Sequence, residues 1–383
     1  MRLQFASRCQ LLRDLCMQAR YCHRCRNALV VRINCFTYQP IYSPPSAIPM
    51  NKNYAIYGLG AALVDTEITL HDADLQSMKV DKGVMTLVDE PRQAELMVAL
   101  EHHLVASKRA SGGSAANTII AASYFGCQNF YSCKVANDEN GAFYLDDLKA
   151  AGVSLPQHVV PPAGITGKCL VMITPDAERT MNTFLGISGE LSVNELDLDA
   201  IKASRFAYIE GYLVTSPTGK AAAIHLREQA QQHGTQVAIS LSDPAMVQFF
   251  RDGLLDMIGG GMDLIFCNRD EAIGFTQAEN FEQACERLKP YAKKFAITCG
   301  ADGALVFDGE NFHQVGAPKV MAIDTNGAGD MFAGAFLYCI DQGLDFVRAA
   351  EFANLAAATI VTQYGPRLQA QQYQGLKNQF FGA

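Results

Sequence analysis

From about residue 200 onward the chain alternates between two periods of apolar residues. Short runs rich in apolar and β-branched residues, at 206–210, 236–241, 264–267, 295–298 and 304–307, predict strands. Between them, 218–233, 246–258 and 282–293 carry apolar residues at helical spacing. Regular strand–helix alternation predicts an α/β fold with a mostly parallel sheet covered by helices on both faces. Ligands of such sheets lie beyond the C-terminal ends of the strands. The punctuated positions fall at those ends: Gly211, Ser242-Asp243-Pro244, Asn268-Arg269-Asp270-Glu271 and Thr298-Cys299-Gly300-Ala301-Asp302-Gly303.

Upstream, the apolar run 54–57 enters glycines, and 63–70 alternates like a strand. Gly58-Leu59-Gly60 opens a GxG, but Leu63 stands where a dinucleotide fingerprint needs its third glycine. A strand also stands where that motif needs a helix, which argues against dinucleotide binding. Asp65 is read at the mouth of this strand. A short strand is predicted at 84–88 and a helix from Pro91 to about residue 104. Ser111-Gly112-Gly113-Ser114 reads as a turn feeding a small-residue helix that carries Asn117. A strand at 130–135 and a helix through 148 follow. Residues 159–184 hold three short β-like runs broken by Pro161-Pro162, Gly164 and Pro175-Asp176. With the strand after Asp65 they predict a small second sheet, built from parts of 63–111 and 159–184. Arg179 lies on it; a surface charge is the plainer reading and a phosphate clamp the alternative.

One stretch concentrates chemistry. Val320-Met321-Ala322-Ile323 reads as a strand end, and Asp324-Thr325-Asn326-Gly327-Ala328-Gly329-Asp330 follows, leading into the helical run Met331-Phe332-Ala333-Gly334-Ala335-Phe336. Glycines leave amide N–H groups uncovered, and the first amides of a helix lack intrahelical partners at its positive end. The pattern is an anion hole with a carboxylate beside it, suited to a phosphoryl group in transfer. A plain helix cap on a tight turn is the structural alternative. Asn268-x-x-Glu271 offers one amide and one carboxylate in a first helical turn, which suits Mg²⁺ with most of its waters retained, or an N-cap with a dipole-paired acid. Thr298, Gly300 and Gly303 form a glycine-bearing turn whose backbone could line a nucleotide. No Walker A and no protein-kinase HRD or DFG set occurs.

The chain has 383 residues, 49% of them apolar, enough for a substantial core. Its formal net charge of −8 argues against nucleic acid as a partner. No apolar run approaches the ~18 residues needed to span a bilayer, so no membrane partner is expected. Residues 1–49 carry seven Arg, no Lys, one Asp and five of the 12 cysteines. That shift marks a boundary near Met50, with 1–49 a weakly structured extension and 50–383 the functional domain. Cys22-His23-Arg24-Cys25 lacks the second pair that a zinc site needs. The other seven cysteines are scattered singly, which suits a reducing cytoplasm.

The string from Asp324 to Asp330 with Phe332-Ala333-Gly334-Ala335-Phe336 resembles the C-terminal signature of the ribokinase-like, or PfkB, family of small-molecule kinases. Ser111-Gly112-Gly113 through Asn117 resembles its N-terminal signature. The resemblance covers essentially residues 54–368. It implies a three-layer α/β/α sandwich with a small β-sheet lid, and ATP with Mg²⁺ as cofactors, leaving a monovalent cation open. It implies Asp330 as general base, with the backbone of Gly327, Ala328 and Gly329 as the anion hole. Asp65, Gly112, Gly113 and Asn117 would hold the acceptor. Asn268, Thr298, Gly300, Gly303, Asp324, Thr325 and Asn354 would line the nucleotide site, with Glu271 toward the metal. Segments 208–215, 241–250 and 263–272 resemble adenosine kinases, which implies transfer to the 5′-hydroxyl of adenosine; a monomer or a homodimer is left open, an exposed edge of the lid sheet inviting the latter. Ala61, Leu213 and Ala245 depart from that pattern, the last two where animal adenosine kinases place aromatic rings; Tyr212 and Phe249 are the candidate replacements. A sugar kinase such as a fructokinase or ribokinase is the alternative. An inactive relative acting as a binding protein is opposed by the intact Asp330 turn.

Overall fold

The computed structural model describes residues 52–101, 103, 108–176 and 178–382. The strands run β1 (Tyr54–Leu59), β2 (Leu63–Thr69), β3 (Met85–Leu87), β4 (Lys108–Gly112), β5 (Asn129–Ser132), β6 (Gly167–Ile173), β7 (Arg179–Phe184), β8 (Ser204–Glu210), β9 (Gln236–Ser240), β10 (Met262–Asn268), β11 (Ala292–Thr298), β12 (Ala304–Phe307) and β13 (Phe312–Val315). The helices that position the site are α1 (Ser114–Phe125), α2 (Glu139–Ala150), α3 (Pro244–Ile258), α4 (Arg269–Thr276), α5 (Ala328–Asp341) and α6 (Phe346–Ile360).

Alternate residues of the central strands are buried in opposite directions. Phe206 and Tyr208 of β8 join one core with α1, α5 and α6, while Ala207 and Ile209 join the other with α3 and α4. Burial on both faces is why these strands read as near-continuous apolar runs. The large sheet has the order β13-β12-β11-β10-β9-β8-β1-β5. Pairing is parallel from β5 through β11 and turns antiparallel only at β12 and β13. A second sheet has the order β3-β7-β6-β2-β4. The expected three-layer sandwich and mostly parallel sheet are therefore present.

Several local expectations are corrected. Residues 320–323 form no strand: they are loop, with Val320 and Met321 exposed, and Ile323 N donates to Val361 O at 2.7 Å. The segment read as the start of a turn at Ser111 belongs to β4, which exists because it pairs antiparallel with β2. Strand β13 was not anticipated; it closes a hairpin with β12. The helix read from Pro91 spans Glu90–Ala99, capped by Asp89 accepting from Arg92 N. Only two strands form within 159–184. The helix expected to reach 293 stops at Leu288, just ahead of Pro290, and β11 begins at Ala292.

The expectations for residues 1–49, the Cys22–Cys25 pair among them, lie outside the described residues. The seven described cysteines are free and buried. No helix among the described residues is long and apolar enough to cross a membrane, and no cluster of three or more His, Cys, Asp or Glu could hold a metal there.

Candidate active site

The turn before α5 is built by its own side chains. Asp324 is fully buried; its Oδ1 accepts from Asn326 N at 2.8 Å and its Oδ2 from Gly365 N at 2.8 Å. Both oxygens are occupied by backbone, so Asp324 shapes the turn and does not face a nucleotide as expected. Gly327, the residue before α5, has φ +74°, and a Cβ there would lie 2.6 Å from Pro366 O, so only glycine fits. Ala328 N is tied back to Thr325 O at 3.3 Å, so Ala328 does not join the hole; Gly327 and Gly329 line the cavity in front of the helix.

Asp330 stands in the first turn of α5, at the junction of two cavities. Ser114 Oγ donates to its Oδ1 at 2.6 Å and Asn117 Nδ2 to its Oδ2 at 3.0 Å. Burial raises its pKa; the two hydrogen bonds and the Arg179 guanidinium pull it back down.

The first cavity opens beneath the small sheet. Asp65 is the third residue of β2, not at its mouth, and is buried opposite Ala110 and Cys169. Its carboxylate lies over Gly112, where a Cβ would come within 2.1 Å of it. Gly112 therefore supplies room rather than a contact. Burial, reinforced by Glu67, pushes the Asp65 pKa up to about 8, against the pull of Arg367. Gly113 caps α1 at φ +94°, with Ala61 O 2.4 Å from where a Cβ would stand. Asn117 Oδ1 is buried with no hydrogen-bond partner, an acceptor turned to no protein group. Met85, Leu87, Met181, Leu185 and Leu213 give this cavity an apolar part of its lining. Tyr212 lines it as well; Phe249 is exposed and Ala245 lines neither cavity.

The second cavity is polar and lies in front of the anion turn. Thr298, Thr325, Asn268 and Glu271 line it, with Asp243. Asn268 caps α4 by accepting from Glu271 N at 2.8 Å, while Glu271 Oε2 accepts from Asn268 N at 3.0 Å. The capping alternative is thus realised, and the same pair faces the cavity. Burial pushes the Glu271 pKa up to about 8, with Asp243 adding to it and Arg179 opposing. Glu271 Oε1 also accepts from Asn268 Nδ2 at 2.6 Å; the carboxylates of Glu271 and Asp243 and the Asn268 amide are oxygen donors of the kind a Mg²⁺ ion takes while keeping several waters. Gly300 and Gly303 do not line the cavity; a Cβ on Gly303 would lie 2.1 Å from Val315 O, so that glycine permits close backbone packing. Asn354 is also corrected: its Nδ2 donates to Val315 O at 2.9 Å and Gly316 O at 3.2 Å, tying α6 to the chain after β13.

Arg179 is not a solvated surface charge. It lines both cavities and donates from Nη1 to Asn326 Oδ1 at 3.0 Å. Asn326 Nδ2 is buried without a partner, which leaves a second donor beside the turn. Asn326, Ser114, Asp243 and Glu210 were missed as site residues. Asn326 and Ser114 each sit inside a recognised motif, the one signal that pointed to them.

The sequence profile of pfkB family carbohydrate kinases matches residues 84–372. Adenosine kinase of Saccharomyces cerevisiae is 27% identical over 322 residues, 79% of this chain and 89% of that protein. The solved adenosine kinase of Sinorhizobium meliloti is 32% identical and superposes with a TM-score of 0.79 over 85% of this chain and 99% of that one. A probable sugar kinase from Rhizobium etli CFN 42 is likewise 32% identical, with a TM-score of 0.78 over the same shares.

Proposed function

We propose that this chain, which belongs to the pfkB family of carbohydrate kinases and is a phosphotransferase acting on hydroxyl groups, transfers the γ-phosphoryl of ATP to the 5′-hydroxyl of adenosine. The observation that carries the reading is the place of Asp330 between a cavity lined by Asp65, Asn117 and apolar side chains and a polar cavity at a helix N-terminus. Asp65 and the unpartnered Asn117 Oδ1 accept hydrogen bonds from ribose hydroxyls. Met85, Met181, Leu185 and Leu213 take the base, with Tyr212 as the aromatic ring beside them. An apolar lining of this kind suits a purine base better than the hydroxyls of a free sugar, which favours a nucleoside.

Asp330 takes the proton of the attacking hydroxyl. Gly327 and Gly329 amides, Arg179 and Asn326 Nδ2 meet the charge on the transferring group, so positioning and electrostatics carry the step. Glu271 and Asn268 would hold Mg²⁺, which supplies neutralisation of phosphate charge. The small sheet acts as a lid that excludes water from the acceptor.

The second reading is a sugar kinase. The aliphatic Leu213 lining the acceptor cavity favours it, and the chain is as similar, at 32% identity, to a probable sugar kinase as to an adenosine kinase. A coupled ADP-release assay with adenosine, inosine, ribose and fructose, with Asp330→Asn as control, separates the two. Adenosine turnover lost in the variant is expected. Turnover with a free sugar alone keeps Asp330 as the base and removes the nucleoside.

A further inference from the structure

Three consecutive residues after α6 touch both halves of the site. Gly365 N holds Asp324 Oδ2 at 2.8 Å. Pro366 is packed on Gly327 so closely that a Cβ there would stand 2.7 Å from its Cα. Arg367 reaches the opposite way. Its Nη1 pairs with Asp147 Oδ2 of α2 at 2.8 Å, and its Nη2 donates to Ser111 Oγ at 2.8 Å and to Ser111 O. Ser111 Oγ also donates to Asp147 Oδ2, closing a triangle of three side chains. The Arg367 side chain is 13% exposed, so this pairing is screened far less than a surface bridge.

Ser111 is a lever on Asp65. It sits in β4 between Ala110, the register partner of Asp65, and Gly112, on which the Asp65 carboxylate rests. The Cα atoms of Gly365 and Arg367 can be no more than about 7 Å apart. A link this short cannot stretch when the two halves of the site move. We propose that Gly365, Pro366 and Arg367 form a strut that sets the spacing between the phosphate turn and the strand behind Asp65, with Arg367 as a positioning residue for the acceptor. The planar guanidinium fork satisfies Asp147 and Ser111 together in a fixed geometry that the single ammonium of a lysine reproduces only in part. The strut rests on the reading of the Asp65 cavity as the acceptor site.

The test compares Arg367→Met and Arg367→Lys with the parent enzyme at saturating ATP and Mg²⁺, with adenosine and then the sugars as acceptors. Arg367→Met lowers kcat/KM for the acceptor on the order of ten- to a hundredfold, chiefly through KM, and Arg367→Lys recovers part of it. The KM for ATP stays within about twofold. In the Asp65→Asn background Arg367→Met adds little, because both act on one strand. A folded Arg367→Met enzyme with acceptor kcat/KM within about twofold of the parent overturns the proposal. Hydrogen exchange gives a reading independent of substrate: Arg367→Met, and Asp147→Asn as the second variant, raise exchange in 108–112. Unchanged protection there refutes the strut whatever the acceptor proves to be. Faster exchange with no turnover of adenosine or sugars would uphold the strut and count against the substrate assignment alone.

Discussion

Glu210 Oε2 accepts a hydrogen bond from Ala115 N at 2.8 Å, so a carboxylate at the end of β8 closes the N-terminus of α1 from 95 residues away. The residue before that helix is Gly113, which has no side chain to cap it. Glu210 takes that role, and its Oε1 also accepts from Ala61 N at 3.4 Å. The turn it orients carries Ser114 and Asn117, the two donors to Asp330.

Burial lifts the Glu210 pKa from 4.5 to about 7, against both backbone hydrogen bonds. The sign follows from proton counts. Between pH 4.5 and about 7 the folded state binds more protons than the unfolded one, so this group makes stability fall as pH rises and is neutral below that window. Glu210→Gln keeps an acceptor for Ala115 N and removes the titration. Its stability relative to the parent therefore improves across that window, by roughly 3 kcal/mol at most. Urea denaturation at several pH values measures this, and identical pH slopes for the two proteins would refute it.

As the proposed base, Asp330 takes a proton only when ionised. Ser114 and Asn117 hydrogen-bond the ionised form and lower its pKa against the effect of burial. Asn117→Ala removes one donor, so the acid limb of the kcat profile moves to higher pH while the alkaline plateau changes less. Asp330→Asn loses on the order of 10²- to 10⁴-fold in kcat at every pH. A pH–rate profile of Asn117→Ala with an unmoved acid limb would assign that limb to another group.

Arg179 and Asn326 stand as a pair at the turn before α5, the amide oxygen accepting from the guanidinium and the amide nitrogen left over. Arg179→Ala lowers kcat on the order of a hundredfold or more, because the charge it offers is matched to the transferring group. Arg179→Lys restores charge without the fork and recovers a fraction. Single-turnover measurements separate this from weaker binding of ATP. A rate unchanged in Arg179→Ala removes the residue from the mechanism.

How far the sequence reaches depends on whether a role is local. Gly327, Gly329 and Asp330 were legible because turn, helix start and acid are consecutive, and Gly113 and Asn117 because glycine turn and helix are contiguous. Asp324 and Asn354 read as nucleotide-site residues from the sequence, yet neither lines either cavity. Their polar atoms are taken by Gly365 N and by Val315 O, groups no local pattern announces. Glu210 and Arg367 act across 95 and 256 residues, through contacts that exist only once β8 and β4 are in place. The sequence reads parts of 63–111 as sheet, but that Ser111 and Gly112 lie in a strand and not a turn follows only from the pairing of β4 with β2.

Glu271 carries two roles that one substitution can pull apart. In its capping box with Asn268 a glutamine serves nearly as well as a glutamate. Glu271→Gln therefore keeps the backbone cap of α4 and, like Glu210→Gln, removes a buried titrating acid, so it does not destabilise the fold at pH 7 while taking the carboxylate out of the polar cavity. If Glu271 holds Mg²⁺, the concentration of Mg²⁺ for half-maximal rate rises on the order of tenfold in the variant. The pKa of about 8 adds a second signature. The buried acid must lose its proton to bind a metal, so in the parent the Mg²⁺ midpoint falls as pH rises from 7 to 9. That pH dependence disappears in Glu271→Gln. Asn268→Ala instead costs about 1 kcal/mol of stability by removing the cap. Mg²⁺ titrations of the rate at pH 7 and pH 9, set beside thermal melts of both variants, decide the matter. A midpoint that is the same in parent and Glu271→Gln at both pH values would leave Glu271 as the cap of a helix and nothing more.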